Sequence, residues 1–376
     1  GGGIVGASIA YHLTKKGKNV ILIDRKDKGR ATSAGAGIIS PPTTYTDNEV
    51  LYKLQLEAGK YYPILNNELS LEHDLDTSFR SHQKIVLSID EDEVSEFETV
   101  TSRNIERRER EKYPSESVLY IIDQKELRSR FPNIKKTDFA QKALINENGI
   151  KINGVIFCNA LIRAAKNLGL TVIQSSVEIL VEEMIEPKTN ENRKIASITD
   201  GEVTWRAEKF VIAGGFWTKK LVKQIGVELP LEPQRGQIVH LFHSNLDTSK
   251  IPMISTFHGH YIVPFDDGNI VCGATRELGE VEACATVSGV QEILFEAVRV
   301  IPELKKAAII EVRSGIRPIS KTGLPIIGPV PNFSNLFVST GHGPHGLTLA
   351  PYTGKLLSQL LLNEEIEFDL SDFALK

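Results

Sequence analysis

The chain alternates between stretches whose apolar residues recur every three or four positions and short runs that are apolar throughout. That is the pattern of helices laid against buried strands. At the start, Val5, Ile9 and Leu13 stand four apart, and Gly17 is placed to end the helix they predict. Residues 19–23 (NVILI) then read as a buried strand closed by Asp24. Further helices are predicted over 49–67, 93–110, 124–130 and 152–168, and strands over 84–89 and 170–174. SSVEILVEEMIEP (175–187) reads as part of a strand pair that continues after the Asn/Lys-rich turn 188–194. Residues 207–226 give a strand, the double glycine Gly214–Gly215 and a helix. From 226 to 300 the period changes to short alternating strands separated by turns such as Asp266–Asp267–Gly268, which predicts an antiparallel sheet. The stretch 335–362 returns to strand, loop and helix.

These strand–loop–helix pieces at the start, middle and end, with β-rich insertions between them, predict a discontinuous nucleotide-binding domain. Its segments are 1–80, 150–225 and 305–376, and a second domain takes 81–149 and 226–304. The fold class is α/β, with an α+β second domain. A length of 376 residues suits two domains.

Composition narrows the function only a little. Charged residues make up 24% and the net charge is −4, so nothing attracts nucleic acid or an anionic membrane. The run RNIERREREK (103–112) alternates in sign and reads as a solvated helix face. Three unclustered cysteines, Cys158, Cys272 and Cys284, argue against a disulfide framework and a Cys-rich zinc site. No apolar run approaches the ~18 residues of a membrane span. A cytoplasmic protein is expected, with peripheral association to the inner face of the membrane left open.

The chemistry begins in GGGIVG, where Gly1, Gly3 and Gly6 form a G-x-G-x-x-G loop before a helix. Glycines there let the backbone approach a pyrophosphate at the helix start, and an acid after the next strand, here Asp24, suits a ribose. The strand that should precede Gly1 is missing, which leads to the expectation of a trimmed N-terminus. In RATSAGAGIIS (30–40), the hydroxyls of Thr32 and Ser33 and the exposed amides suit further phosphate and flavin contacts. STGHGPHGLTLAPYTG (339–354) admits a metal site, a phosphate loop or a plain turn. His342 and His345 have no further ligands nearby in sequence, and no metal is expected. His258 and His260, two apart on a presumed strand, would share one face.

Together these motifs resemble the FAD-dependent amino-acid oxidoreductases, which include D-amino-acid oxidase, glycine oxidase, sarcosine oxidase and D-amino-acid dehydrogenase. The resemblance runs nearly end to end. It rests on GGGIVG with Asp24, TSAGAGII, VIAGGFW (211–217), PQRGQ (233–237), YIVP…CGAT (261–275), IRP…GLPIIGP (316–329) and STGHG..G (339–346). It implies non-covalent FAD in a Rossmann-like domain, beneath an antiparallel sheet that covers the isoalloxazine. The implied reaction is oxidative deamination of a D-amino acid, glycine or an N-methyl amino acid, by hydride transfer from the substrate carbon to flavin N5. Oxygen or a quinone-linked chain would take the electrons, and a homo-oligomer is left open. Arg317 would hold the substrate carboxylate and Tyr261 would complete that grip.

Cofactor contacts are implied for Gly1, Gly3, Ile4, Val5, Gly6, Asp24, Arg25, Thr32, Ser33, Ala34, Gly37, Ile38, Val177, Ala213, Gly214, Trp217, Gly315, Gly343, His345, Gly346, Leu347 and Thr348. The segment 341–348 would wrap the edge of the flavin ring. Two positions depart from the glycine-oxidase pattern: Pro344 replaces an arginine and Arg276 a methionine. Facing the pocket, Arg276 would attract an acidic side chain; facing out, it would pair with Glu277 or Glu280. The alternatives are a catalytically silent FAD-binding sensor or assembly subunit, and an FAD dehydrogenase acting on a non-amino-acid substrate.

Overall fold

The computed structural model describes residues 1–135, 141–181, 193–279 and 282–376. The helix Ile4–Lys15 starts at Gly3 and stops before Gly17, whose φ of +71° only glycine adopts without strain. It packs with the helices Gly154–Asn167 and Gly346–Leu361 around one core that includes Ala7, Leu161 and Leu356. The first and last helices cross closely: a Cβ at Gly354 would stand 2.7 Å from Cβ of Ser8. Pro351 interrupts the last helix and cannot bond the carbonyl four residues back. The hydroxyl of Tyr62 donates to that carbonyl, Leu347 O, and the hydroxyl of Ser8 donates to Pro351 O at 3.0 Å.

Two parallel pairings flank the glycine loop. Ile21–Ile23 runs beside Thr171–Ile173, and Phe210–Ile212 beside Leu336–Thr340, which also carries Ile326–Pro329 on its other edge. Asp24 and Ala213 follow the two inner strands, and Gly1–Gly2 lies between them. The amide of Gly2 donates to Asp24 Oδ1 at 2.9 Å, while a Cβ at Gly1 would come within 2.5 Å of Ala213 O.

A nine-stranded sheet forms the second layer. Its order is Glu277–Leu278, Leu231–Phe242, Asn269–Gly273, Tyr261–Pro264, Met253–Ser255, Lys84–Leu87, Lys142–Asn146 and Leu119–Asp123. The long strand Ala308–Ser320 also pairs with Leu231–Phe242, from one end to the other. All pairings are antiparallel except Met253–Ser255 with Lys84–Leu87. Ala308–Ser320 lies beyond the boundary drawn at 304/305, yet its hydrogen bonds belong to this sheet.

Three expectations need correction. Residues 287–300 are a helix, Val287–Val300, within a stretch read as strands. Thr286 caps it by accepting from the Gly289 amide at 3.2 Å, and Ile293, Ala297 and Val300 join the core beneath the sheet. Its 3–4 spacing was masked by the alternation on either side. The second concerns the charged run 103–112, which is not wholly solvated. Arg107 is 1% exposed, donates to Glu49 Oε1 and the Thr46 carbonyl, and stacks on Tyr52 at 4.2 Å. The third is the histidine pair: His258 and His260 lie in a turn, with His258 at φ +58°. Most of the turn 188–194 falls outside the described residues, as does Glu280. Among the described residues no helix is long and apolar enough to cross a membrane.

Candidate functional site

Between the glycine loop and the nine-stranded sheet lies a cavity of about 490 Å³. Of the residues singled out above, it is lined by Gly1, Gly3, Ile4, Val5, Asp24, Arg25, Thr32, Ala34, Gly37, Ile38, Val177, Ala213, Gly214, Trp217, Gly315, Gly343, Gly346, Leu347 and Thr348, with Tyr261 and Arg317. Gly6, Ser33 and His345 stand outside the lining. Gly6 is close behind Gly1, where a Cβ would collide with Gly1 O. The hydroxyl of Ser33 turns away to the Arg30 carbonyl at 2.9 Å. Sequence reasoning missed Arg30, Gly215, Phe216, Lys220 and Gly259. Gly215 stood in plain view in the AGG triplet; Gly259 had no local signal.

At the loop end, backbone amides and small side chains dominate. The hydroxyl of Thr32 accepts from the Ile4 amide at 3.0 Å, pinning the segment Ala31–Ala34 to the helix start. Asp24 also meets Arg30 at 3.2 Å. Gly37 takes φ +80°, and a side chain there would collide with Ile152 O. Two helix starts, at Ile4 and Gly346, carry no acidic residue in the first turn. Their partial positive charge therefore reaches the cavity uncancelled.

At the sheet end, strand register sets the geometry. Arg317 lies opposite Gln234, and its Nη1 donates to Gln234 Oε1 and to the Thr275 carbonyl, both at 3.0 Å. Tyr261 lies opposite Gly273. Glycines on the neighbouring strands clear the space: a Cβ at Gly273 would sit 3.0 Å from the Tyr261 hydroxyl, and one at Gly236 would collide with the Arg317 guanidinium. Burial raises the Tyr261 pKa, and the charges of Arg317 and Arg276 oppose that rise. Burial also pushes Arg317 below the ordinary guanidinium value, with Tyr261 opposing. A guanidinium stays charged even so, which leaves a cation beside a neutral phenol.

Of the histidines, burial pushes the His345 pKa down to about 4, and the charges of Arg276 and Arg317 add to that fall. His258 Nε2 is 3.4 Å from Asp92 and His260 Nε2 3.5 Å from Glu292, and neither lines the cavity. His342 touches the lining, but its Nε2 faces the Thr353 hydroxyl at 3.1 Å, and burial pushes its pKa down to about 4. Among the described residues no group of three or more His, Cys, Asp or Glu is placed to hold a metal ion. Cys158 and Cys272 are buried and Cys284 is exposed.

Fold and cavity together are those of a flavoprotein oxidoreductase. The family described as FAD dependent oxidoreductase (DAO) matches residues 1–360, and the chain belongs to it. FAD is the cofactor on which that family depends. The chain is similar to the uncharacterized oxidoreductase YurR of Bacillus subtilis (strain 168), with 32% identity over 99% of this chain and 96% of that protein. It resembles the glycine oxidase of the same organism at 26% identity, covering 98% and 93%. Among solved structures, iminodiacetate oxidase (IdaA) from Chelativorans sp. BNC1 superposes with a TM-score of 0.89 at 28% identity, over 100% of this chain and 97% of that one.

Proposed function

We propose that the chain oxidises an amine on a carbon that also bears a carboxylate. The observation that carries this reading is the pairing, in one cavity, of a glycine-lined cradle with the charged Arg317 and the neutral hydroxyl of Tyr261. Relatives named glycine oxidase and iminodiacetate oxidase support an amino-acid-like substrate.

The residues present fit FAD. Glycine at 1 and 37 lets the cradle backbone pack directly against Ala213 O and Ile152 O, which a side chain would strike, and both helix starts offer amides to anionic groups. Gly1–Ile4 and Thr32 would hold the pyrophosphate and Asp24 the ribose, while Gly346–Thr348, at a helix start, would face the edge of the ring where negative charge accumulates. None of the three cysteines lines the cavity, which supports non-covalent binding. When bound, FAD supplies the two-electron acceptor. Segments 1–80, 150–225 and 305–376 would hold it, and 81–149 and 226–304 would cover the substrate, with Ala308–Ser320 serving both.

The chain's own part is positioning. Arg317 takes the carboxylate through its free edge, since Nη1 is already held by Gln234 and Thr275. Tyr261 adds a hydrogen bond and keeps its proton. So oriented, the substrate carbon gives up its hydrogen with the bonding pair and the nitrogen gives up a proton. The resulting imine takes up water and releases ammonia or an amine, leaving an oxo acid.

Anaerobic mixing of the holoenzyme with D-amino acids, glycine, sarcosine and proline, followed at the flavin band near ~450 nm, tests this directly. Bleaching by one class supports the reading, and air readmitted afterwards separates oxygen from a quinone-linked acceptor. No bleaching by any amine carboxylate would sink it.

A further inference from the structure

Arg276 lines the cavity at the end that presents Tyr261, Ala274 and Arg317. Its side chain lies over Gly259, a residue at φ +87° where a Cβ would come within 2.5 Å of Nε and 2.8 Å of Cζ. Arg276 is exposed to that space and has no hydrogen-bond or ion-pair partner among the described residues. The neighbour best placed to neutralise it is engaged elsewhere. Glu277 binds Arg235 and accepts from Gln237 Nε2 at 2.7 Å and from the Thr275 hydroxyl at 3.0 Å.

The cavity's carboxylates lie at its other end. Asp24 is held by Gly2 and Arg30, Asp27 pairs with Arg25, and Glu178 opens the strand Glu178–Val181. Two guanidinium groups therefore share one end of the cavity with no carboxylate among its lining residues there. They repel, and the charge of Arg276 adds to the effects that depress Arg317. A single carboxylate on Arg317 would leave the second charge uncompensated, whereas an anion with two carboxylates would neutralise both.

We infer that the substrate is an amine bearing two carboxylates, one held by Arg317 with Tyr261 and the other by Arg276. Iminodiacids and D-amino diacids belong to this class. Arg276 is then the residue that selects a diacid over a neutral amino acid of similar size. This inference rests on the amine-oxidation reading above and can fail separately from it.

The test compares iminodiacetate, D-aspartate and D-glutamate with sarcosine, glycine and D-alanine on the holoenzyme, by anaerobic flavin bleaching and steady-state kinetics. A second readout does not need turnover: titration of the flavin spectrum with thiodiacetate and with (methylthio)acetate, which differ by one carboxylate. The expected result is a higher kcat/KM for the diacids. In Arg276→Gln the diacid-to-neutral ratio should fall by about 10- to 100-fold, chiefly through KM, as loss of a charge-assisted contact implies. Arg276→Lys should restore part of it, and the preference for thiodiacetate should vanish in Arg276→Gln. Bleaching by neutral amino acids with a ratio unmoved by Arg276→Gln overturns this inference and leaves the amine reading intact. Arg276-dependent thiodiacetate binding without bleaching by any amine supports the two-carboxylate site and overturns the amine reading. Neither bleaching nor Arg276-dependent binding overturns both.

Discussion

Gly236 lies directly beneath the guanidinium of Arg317: a Cβ at position 236 would collide with it, at 2.8 Å from Nη1 even before the rest of the side chain is counted. The obstructed atoms are the far end of a flexible side chain, so Gly236→Ala should fold and move the guanidinium rather than break the sheet. KM for the carboxylate substrate is expected to rise at least about tenfold, the scale of one charge-assisted hydrogen bond, while FAD stays bound. Steady-state kinetics with the flavin-to-protein absorbance ratio as control decides this; unchanged KM would separate Arg317 from the substrate.

At Gly37 the obstruction is backbone. The residue sits at φ +80° and a Cβ would strike Ile152 O, which cannot swing aside. Gly37→Ala should therefore cost on the order of 1–3 kcal/mol in stability and lower the FAD retained through desalting. Full retention together with an unchanged unfolding midpoint would count against the strain.

Four histidines set an acid limit, and burial pushes two of them, His260 and His345, down to about 4. Burial also holds His12 and His342 at about 4, against 6.5 in an open chain. Between those values the unfolded chain takes up protons that the folded chain refuses. Stability is therefore complete above pH 6.5 and is lost as pH falls toward 4, by about 1.4 kcal/mol per pH unit for each such histidine. Urea midpoints recorded from pH 7.5 down to about pH 5 should fall, and His342→Asn should flatten the slope by one histidine's share. A slope that is the same in wild type and variant would mean that His342 is protonated in the fold.

Arg107 ties the charged helix Glu91–Glu111 to the start of the helix Glu49–Asn67 and the turn before it, through Glu49 Oε1, the face of Tyr52 and the Thr46 carbonyl. Arg107→Ala should lower stability by about 2–4 kcal/mol, since it leaves a cavity and an unpaired buried carbonyl. Chemical denaturation measures this, and a loss under ~0.5 kcal/mol would return Arg107 to the solvated face that the charge pattern suggested.

What could be read from the sequence was what neighbours in the chain decide. Gly1, Gly3 and Gly6, the helix after them and Asp24 form one local unit, and the cradle followed from it. Arg317 and Tyr261 carried no signal of their own; their motifs did, and the structure brings both to one cavity. The helix Val287–Val300 was hidden because alternating strands surround it. Gly236 and Gly273 stood inside the motifs PQRGQ and CGAT, but their task, like that of Gly259, could not be read, since each clears space for a side chain from another strand or turn. The direction of Arg276 was undecided for the same reason: it depends on Glu277 being engaged by Arg235, 42 residues earlier in the chain.

Gly315 and Arg317 stand two residues apart on Ala308–Ser320. Gly315 is pressed against Ala34 and the Arg30 carbonyl, and the amide of Ile316 donates to Gly29 O at 2.9 Å. The strand thus works as a ruler of about 7 Å, with the loop 29–34 fixed at one mark and the guanidinium at the other. Evolution or engineering that shifts that loop to suit a different cofactor grip drags the anion clamp with it. The two affinities are geared together and cannot be tuned one at a time from that side of the molecule.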